Sequence, residues 1–93
     1  MAIQNTGEVG RIVAQVRRSQ GLSHAELALA AGTGLRFVHY FESGKPTLQL
    51  GKVLQVLQAL GIDLDLKRRT GEKLVAAPAD EAPRRMRRQR WGP

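Results

Sequence analysis

From Glu8 onward, apolar side chains recur at Val9, Ile12, Val13 and Val16. This is the i, i+3, i+4, i+7 spacing of a helix with one buried face. Asn5 stands where it can cap that helix, Glu8 closes a capping box three residues later, and "RRSQG" ends the segment at Gly21. A second start signal follows at once. Ser23 and Glu26 form another capping box, and Leu22 and Leu27 take the N′ and N4 places of a hydrophobic staple, predicting a short helix over residues 24 to 31. Gly32 then offers the left-handed residue that turns a chain out of a helix.

Beyond the turn, "LRFVHYFES" sets Val38 and Phe41 on one face, and Gly44 closes a third helix. Thr47 is the candidate cap of a fourth, "LQLGKVLQVLQALG", in which Leu50, Val53, Leu54, Leu57 and Leu60 keep the helical period as far as Gly61. There the period changes from 3.6 to 2: in "IDLDLK", Ile62, Leu64 and Leu66 alternate with Asp63 and Asp65, the pattern of a short strand. A lone strand needs a partner for its edge, and none is evident in the chain. A second copy pairing antiparallel about a two-fold axis satisfies both edges, so the pattern predicts a homodimer. Leu57, Leu60, Ile62, Leu64 and Leu66 are its expected interface.

The chain has 93 residues and no cysteine, which allows one modest core and rules out disulfides and thiolate zinc sites. Its start lacks the order of a signal peptide, and no apolar run approaches the roughly 20 residues of a membrane span. The expectation is a cytoplasmic protein that does not engage a membrane. The net charge of +7 is unevenly spread: residues 1–66 hold six Lys/Arg against five Asp/Glu, and residues 67–93 hold nine against three. Such a tail suits a polyanion or an acidic protein, and charge alone does not choose between them. Nothing points to catalysis. His24 and His39 lack companions at metal-ligand spacing, "GTG" is too short for a phosphate loop, and no nucleophile–base set is suggested, so neither enzyme nor cofactor is expected.

Two short helices joined by "AGTG" make a helix-turn-helix. The segments "VRRSQGLSHAELALAAG", the inward Val38 and Phe41, and "ESGK" resemble the XRE-type helix-turn-helix family of phage repressors and bacterial regulators over residues 8–66. The resemblance implies an all-α, four- to five-helix, lambda-repressor-like domain, preceded by an arm (1–7) and followed by a basic tail (67–93). The layout "ESGKPTLQLGKVLQVLQALGIDLDL" is similar to HipB-type antitoxins. Those are dimeric autorepressors that bind operator DNA, hold a toxin that is often a HipA-like kinase, and pair their strands across the dimer. A stand-alone phage-like repressor without a toxin, or a basic-tailed RNA-binding dimerisation module, are the competing readings.

The family places base-contacting side chains at Leu35, Arg36, His39 and Tyr40, which face away from Val38 and Phe41. The Arg36 guanidinium suits O6 and N7 of a guanine. Plainer roles exist: Leu35 and Phe37 as core, His39 as solvated surface, Tyr40 as packing at the helix edge. His24 at a helix start, Thr33, the amide of Gly34 and Lys45 are candidate phosphate contacts. Arg17 and Glu42 match the family's structural ion pair.

The tail segment "RRMRRQRW" carries five arginines and Trp91 in eight residues, within a region from 76 to 93 whose composition predicts disorder in the free chain. Trp91 is a candidate anchor for a toxin partner, since Trp and Arg dominate interface hot spots. Nonspecific contact with DNA is the plain alternative, and RNA or an anionic surface the remaining one.

Overall fold

The computed structural model describes residues 2–76. Four helices follow one another, α1 (Thr6–Ser19), α2 (His24–Ala31), α3 (Leu35–Ser43) and α4 (Leu50–Leu60), and a two-stranded hairpin, β1 (Leu66–Lys67) and β2 (Lys73–Leu74), completes the described chain. Both capping boxes are formed. Asn5 Oδ1 accepts from the Glu8 amide at 3.0 Å while Glu8 Oε1 accepts from the Asn5 amide, and Ser23 and Glu26 exchange the same pair of bonds. These bonds fix where the first two helices begin, because each satisfies amides that have no partner inside the helix.

Each helix supplies one side chain that is wholly removed from solvent: Val13 from α1, Leu27 from α2, Val38 from α3 and Val56 from α4. Ala28, Ala31, Phe41, Leu57 and Leu60 close the core around them. Burying a side chain of the size of Val or Leu contributes about 1.5–3 kcal/mol, so this small centre is what turns four short helices into a domain. The buried faces of α1 and α4 differ in part from the expected stripes. In α1 the buried set is Gly10, Val13, Ala14 and Arg17, leaving Ile12 exposed, and in α4 it is Val56, Leu57 and Leu60, leaving Leu50 and Leu54 exposed. The α4 sequence holds two overlapping apolar stripes, and packing against α2 and α1 selects between them.

Four further expectations are corrected. Gln49, not Thr47, stands at the N-cap of α4, and no side chain caps it. Leu48 and Val53, both packed against the core, occupy the N′ and N4 positions of a staple that sets this start instead. The strand expected from Ile62 is confined to Leu66–Lys67, because the Ile62 amide bonds to the Leu57 carbonyl at 2.9 Å and ends α4 in a Schellman motif, with Gly61 left-handed at φ 76°. The strand's partner is also in the same chain: Leu66 pairs with Leu74 and Lys67 with Lys73. The turn that allows this is "RRTGE", in which the Arg68 amide donates to the Glu72 carbonyl at 2.8 Å and Gly71 has φ 96°. Fourth, Leu57 and Leu60 are each only 5% exposed and belong to the chain's own core, so they are closed to a second copy.

Candidate nucleic-acid interface

The turn between α2 and α3 is built from Gly32, left-handed at φ 74°, and the Thr33 amide, which bonds back to the Ala28 carbonyl at 3.0 Å. Gly34 then enters α3 in an extended conformation without a side-chain cap. Val38 and Phe41 hold the inner face of α3, and Phe37, half-buried, meets Phe41 edge-on with ring centroids 6.0 Å apart. The opposite face carries Leu35, Arg36, His39 and Tyr40, all exposed. Leu35 is therefore surface and not core. At about 100° per residue, Arg36 lies at the centre of this face, with Tyr40 on one side and His39 toward α2. Lys45, in the loop after α3, places Nζ 4.2 Å from the centroid of the Tyr40 ring, a cation–π contact that adds positive charge to the same surface.

Behind this face stands an ion pair. Arg17 of α1 donates from Nε to Glu42 Oε2 at 2.6 Å and from Nη2 to Oε1 at 3.2 Å, and its Nη1 donates to the Leu22 carbonyl at 2.8 Å. The two side chains are only 9% and 10% exposed. The fork geometry satisfies both carboxylate oxygens and ties α1 to α3 and to the start of α2. Burial pushes the Glu42 carboxyl upward, but the hydrogen bonds from Arg17 and His24 outweigh it and hold the group below the ordinary carboxylate value. Glu26 is lowered as well, by the backbone and side-chain hydrogen bonds of Ser23.

His24 stands first in α2, as expected, with its ring turned toward α3. Its Nε2 lies 3.0 Å from Glu42 Oε1, and since a carboxylate only accepts, this nitrogen donates. The ring nitrogen closest to α3 is thus engaged inside the protein and is not a free donor for phosphate. The His24 ring also lies against that of His39, centroids 4.3 Å apart and planes 33° from parallel. Of the other phosphate candidates, Gly34 and Lys45 are exposed and Thr33 is half-buried beside them. Ile62 is partly buried against the core, whereas Leu64 and Leu66 are 56% and 62% exposed. Trp91 lies outside the described residues.

The seating of α3 on α1 lies beyond what the hydrophobic pattern predicts. Gly10 meets the backbone of Phe41 and Glu42, Gly7 meets Gly44, and the Thr6 hydroxyl donates to the Gly44 carbonyl at 2.7 Å. A glycine inside a helical pattern, as Gly7 and Gly10 are, was the available signal of close packing. Among the described residues there is no cluster of three metal-ligating side chains, and no helix is long and apolar enough to cross a membrane.

A short helix held by its neighbours, with an exposed polar and basic outer face, defines a helix-turn-helix DNA-binding domain. Comparison with known proteins agrees: a family model described as "Helix-turn-helix" matches residues 13–67. The chain belongs to this XRE-type helix-turn-helix family of DNA-binding transcriptional regulators. It is 52% identical over 64 residues to y4mF of Sinorhizobium fredii (strain NBRC 101917 / NGR234), an uncharacterized HTH-type transcriptional regulator, covering 69% of this chain and 84% of that protein. A chain in the structure of a HipA-HipB-O2-O3 complex overlays with a TM-score of 0.68 at 22% identity, covering 74% of this chain and 97% of the other. The restriction-modification controller protein C.AhdI from Aeromonas hydrophila overlays with a TM-score of 0.57 at 28% identity, covering 62% and 84%.

Proposed function

We propose that this regulator is an operator-binding repressor that acts as the antitoxin and autorepressor of a HipA-like toxin operon. Its α3 reads the major groove: Arg36 pairs with a guanine, Leu35, His39 and Tyr40 contact neighbouring bases, and Thr33, the Gly34 amide and Lys45 hold phosphates. The observation that carries the reading is the outward face of α3, on which these four side chains stand together while Val38, Phe41 and Glu42 fix the helix from behind. The antitoxin step is supported by the overlay with a chain of the HipA-HipB-O2-O3 complex, which accounts for 97% of that chain's length.

Two copies bind a two-fold operator, meeting through the exposed Leu64 and Leu66 of the hairpin region, and Trp91 anchors the toxin. A regulator without a toxin is the second reading, favoured by the overlay with the controller protein C.AhdI. Co-expression of the full chain, and of Trp91→Ala, with the proteins encoded beside its gene distinguishes the two. Capture of a neighbouring kinase-like protein by the full chain, weakened by Trp91→Ala, supports the antitoxin. Failure to capture any neighbour, with binding to the chain's own promoter intact, supports the stand-alone regulator.

A further inference from the structure

The contact between His24 and His39 joins the two helices of the motif at the edge of the reading face, and the fold does not require it. Neither ring belongs to the core, and each helix is already seated by Leu27, Val38 and Phe41. His24 is held at its far end, because Nε2 donates to Glu42 Oε1 at 3.0 Å and Glu42 is itself clamped by Arg17. The His24 ring is thereby fixed in orientation by a carboxylate that cannot move without breaking the pair with α1. Its face then supplies a flat surface on which the His39 ring rests, centroids 4.3 Å apart. An exposed side chain on a helix normally samples several rotamers, and ordering one on binding weakens the complex. A ring contact of this kind restricts that sampling before any DNA arrives.

We propose that His24 is a positioning residue for sequence recognition: it presets the imidazole of His39, so that the base preference contributed by His39 depends on the ring of His24. The inference rests on the reading that α3 contacts bases. His24 itself touches no base. It acts through its ring face, while its hydrogen bond to Glu42 keeps that face in place.

The experiment selects bound sequences from a random double-stranded DNA library with the full-length wild type and the variants His39→Ala, His24→Gln, His24→Gln/His39→Ala and Arg36→Ala. Glutamine can donate to Glu42 from nearly the position of Nε2 but has no ring, so His24→Gln should keep the melting temperature and the affinity for unselected DNA. His24→Phe, the reverse substitution, keeps a ring without the hydrogen bond. The expected result is that His39→Ala flattens the preference at one operator position, and His24→Gln weakens it there by about two- to tenfold. His24→Phe retains part of that preference, and the double variant matches His39→Ala alone. A His24→Gln profile identical to wild type overturns the proposal, as does an effect of His24→Gln that persists undiminished in the His39→Ala background. If His39→Ala changes nothing while Arg36→Ala does, the positioning role falls and base reading by α3 stands. If neither variant alters the profile, base reading falls with it.

Discussion

Gly10 of α1 runs so close to Glu42 of α3 that a β-carbon added to the glycine would stand 2.7 Å from the Glu42 carbonyl oxygen, and nearer still to that of Phe41. Both obstacles are backbone, so neither can swing aside. The recognition helix is thus seated directly on α1, with the ion pair Arg17–Glu42 bracketing the same contact.

Gly10→Ala should therefore destabilise the domain even though alanine favours a helix. The overlap is expected to cost about 1–3 kcal/mol, against about 1 kcal/mol gained in helix propensity. Urea unfolding at neutral pH should show a lower midpoint with an unchanged slope, and a midpoint at or above wild type would show that α1 and α3 can move apart freely.

Removing one partner of the ion pair should be the most damaging polar substitution in the domain. Arg17→Ala leaves the buried Glu42 carboxylate with His24 alone and is expected to cost about 3–5 kcal/mol. A double-mutant cycle with Glu42→Ala, followed by urea unfolding, should show strong coupling. Additive losses would reduce the pair to surface strength.

The pH dependence has a defined sign. Glu42 binds its proton less readily in the folded chain than in the unfolded one, so its stabilising contribution is complete above the ordinary carboxylate value of 4.5 and is lost as pH falls through the lower folded value. The stability difference between wild type and Glu42→Gln should hold steady from neutral pH to about pH 5 and shrink in more acid solution. Unfolding curves collected across that range at constant ionic strength measure it directly, and a difference that widens on acidification would mean the carboxyl is raised instead.

Arg36→Ala should relax discrimination between operator and random duplex by about 1–3 kcal/mol. Affinity for random duplex should change little. Fluorescence anisotropy titrations on the two DNAs test this, and an equal loss on both would place Arg36 on phosphates.

Leu64→Asp puts a charge on an exposed apolar site and should leave the fold intact while yielding monomers in sedimentation equilibrium. A dimer of undiminished strength would move the contact to other exposed apolar residues, among them Leu29 of α2 and Leu50 of α4.

Helix positions were legible because their signals are local. Asn5 with Glu8, Ser23 with Glu26, and the glycines after α2, α3 and α4 announce boundaries within a few residues of where they act. What the pattern could not resolve is which of two adjacent stripes turns inward, since Leu50 and Leu54 are as apolar as Val56 and Leu57, and only the neighbouring helices decide. The hairpin was missed for a related reason. The alternation in "IDLDLK" suggests strand from its first residue, whereas Ile62 belongs to the helix ending and the true partner, Lys73–Leu74, is too short to show a period. On the candidate site, the outward set of α3 follows from the positions of Val38 and Phe41. The inward turn of His24 does not, because its partner Glu42 is 18 residues away and already appeared committed to Arg17.

The closure of β1 on β2 within one chain bears on the order of events after synthesis. The strands are joined by a five-residue turn, and the helices by loops of comparable length, so most contacts link residues near one another along the chain. Domains of this kind form in microseconds to milliseconds, far faster than a dilute protein meets its own copy. The hairpin's pairing is local, so in the dimer proposed above two chains would meet as finished surfaces rather than as unpaired strands seeking a mate.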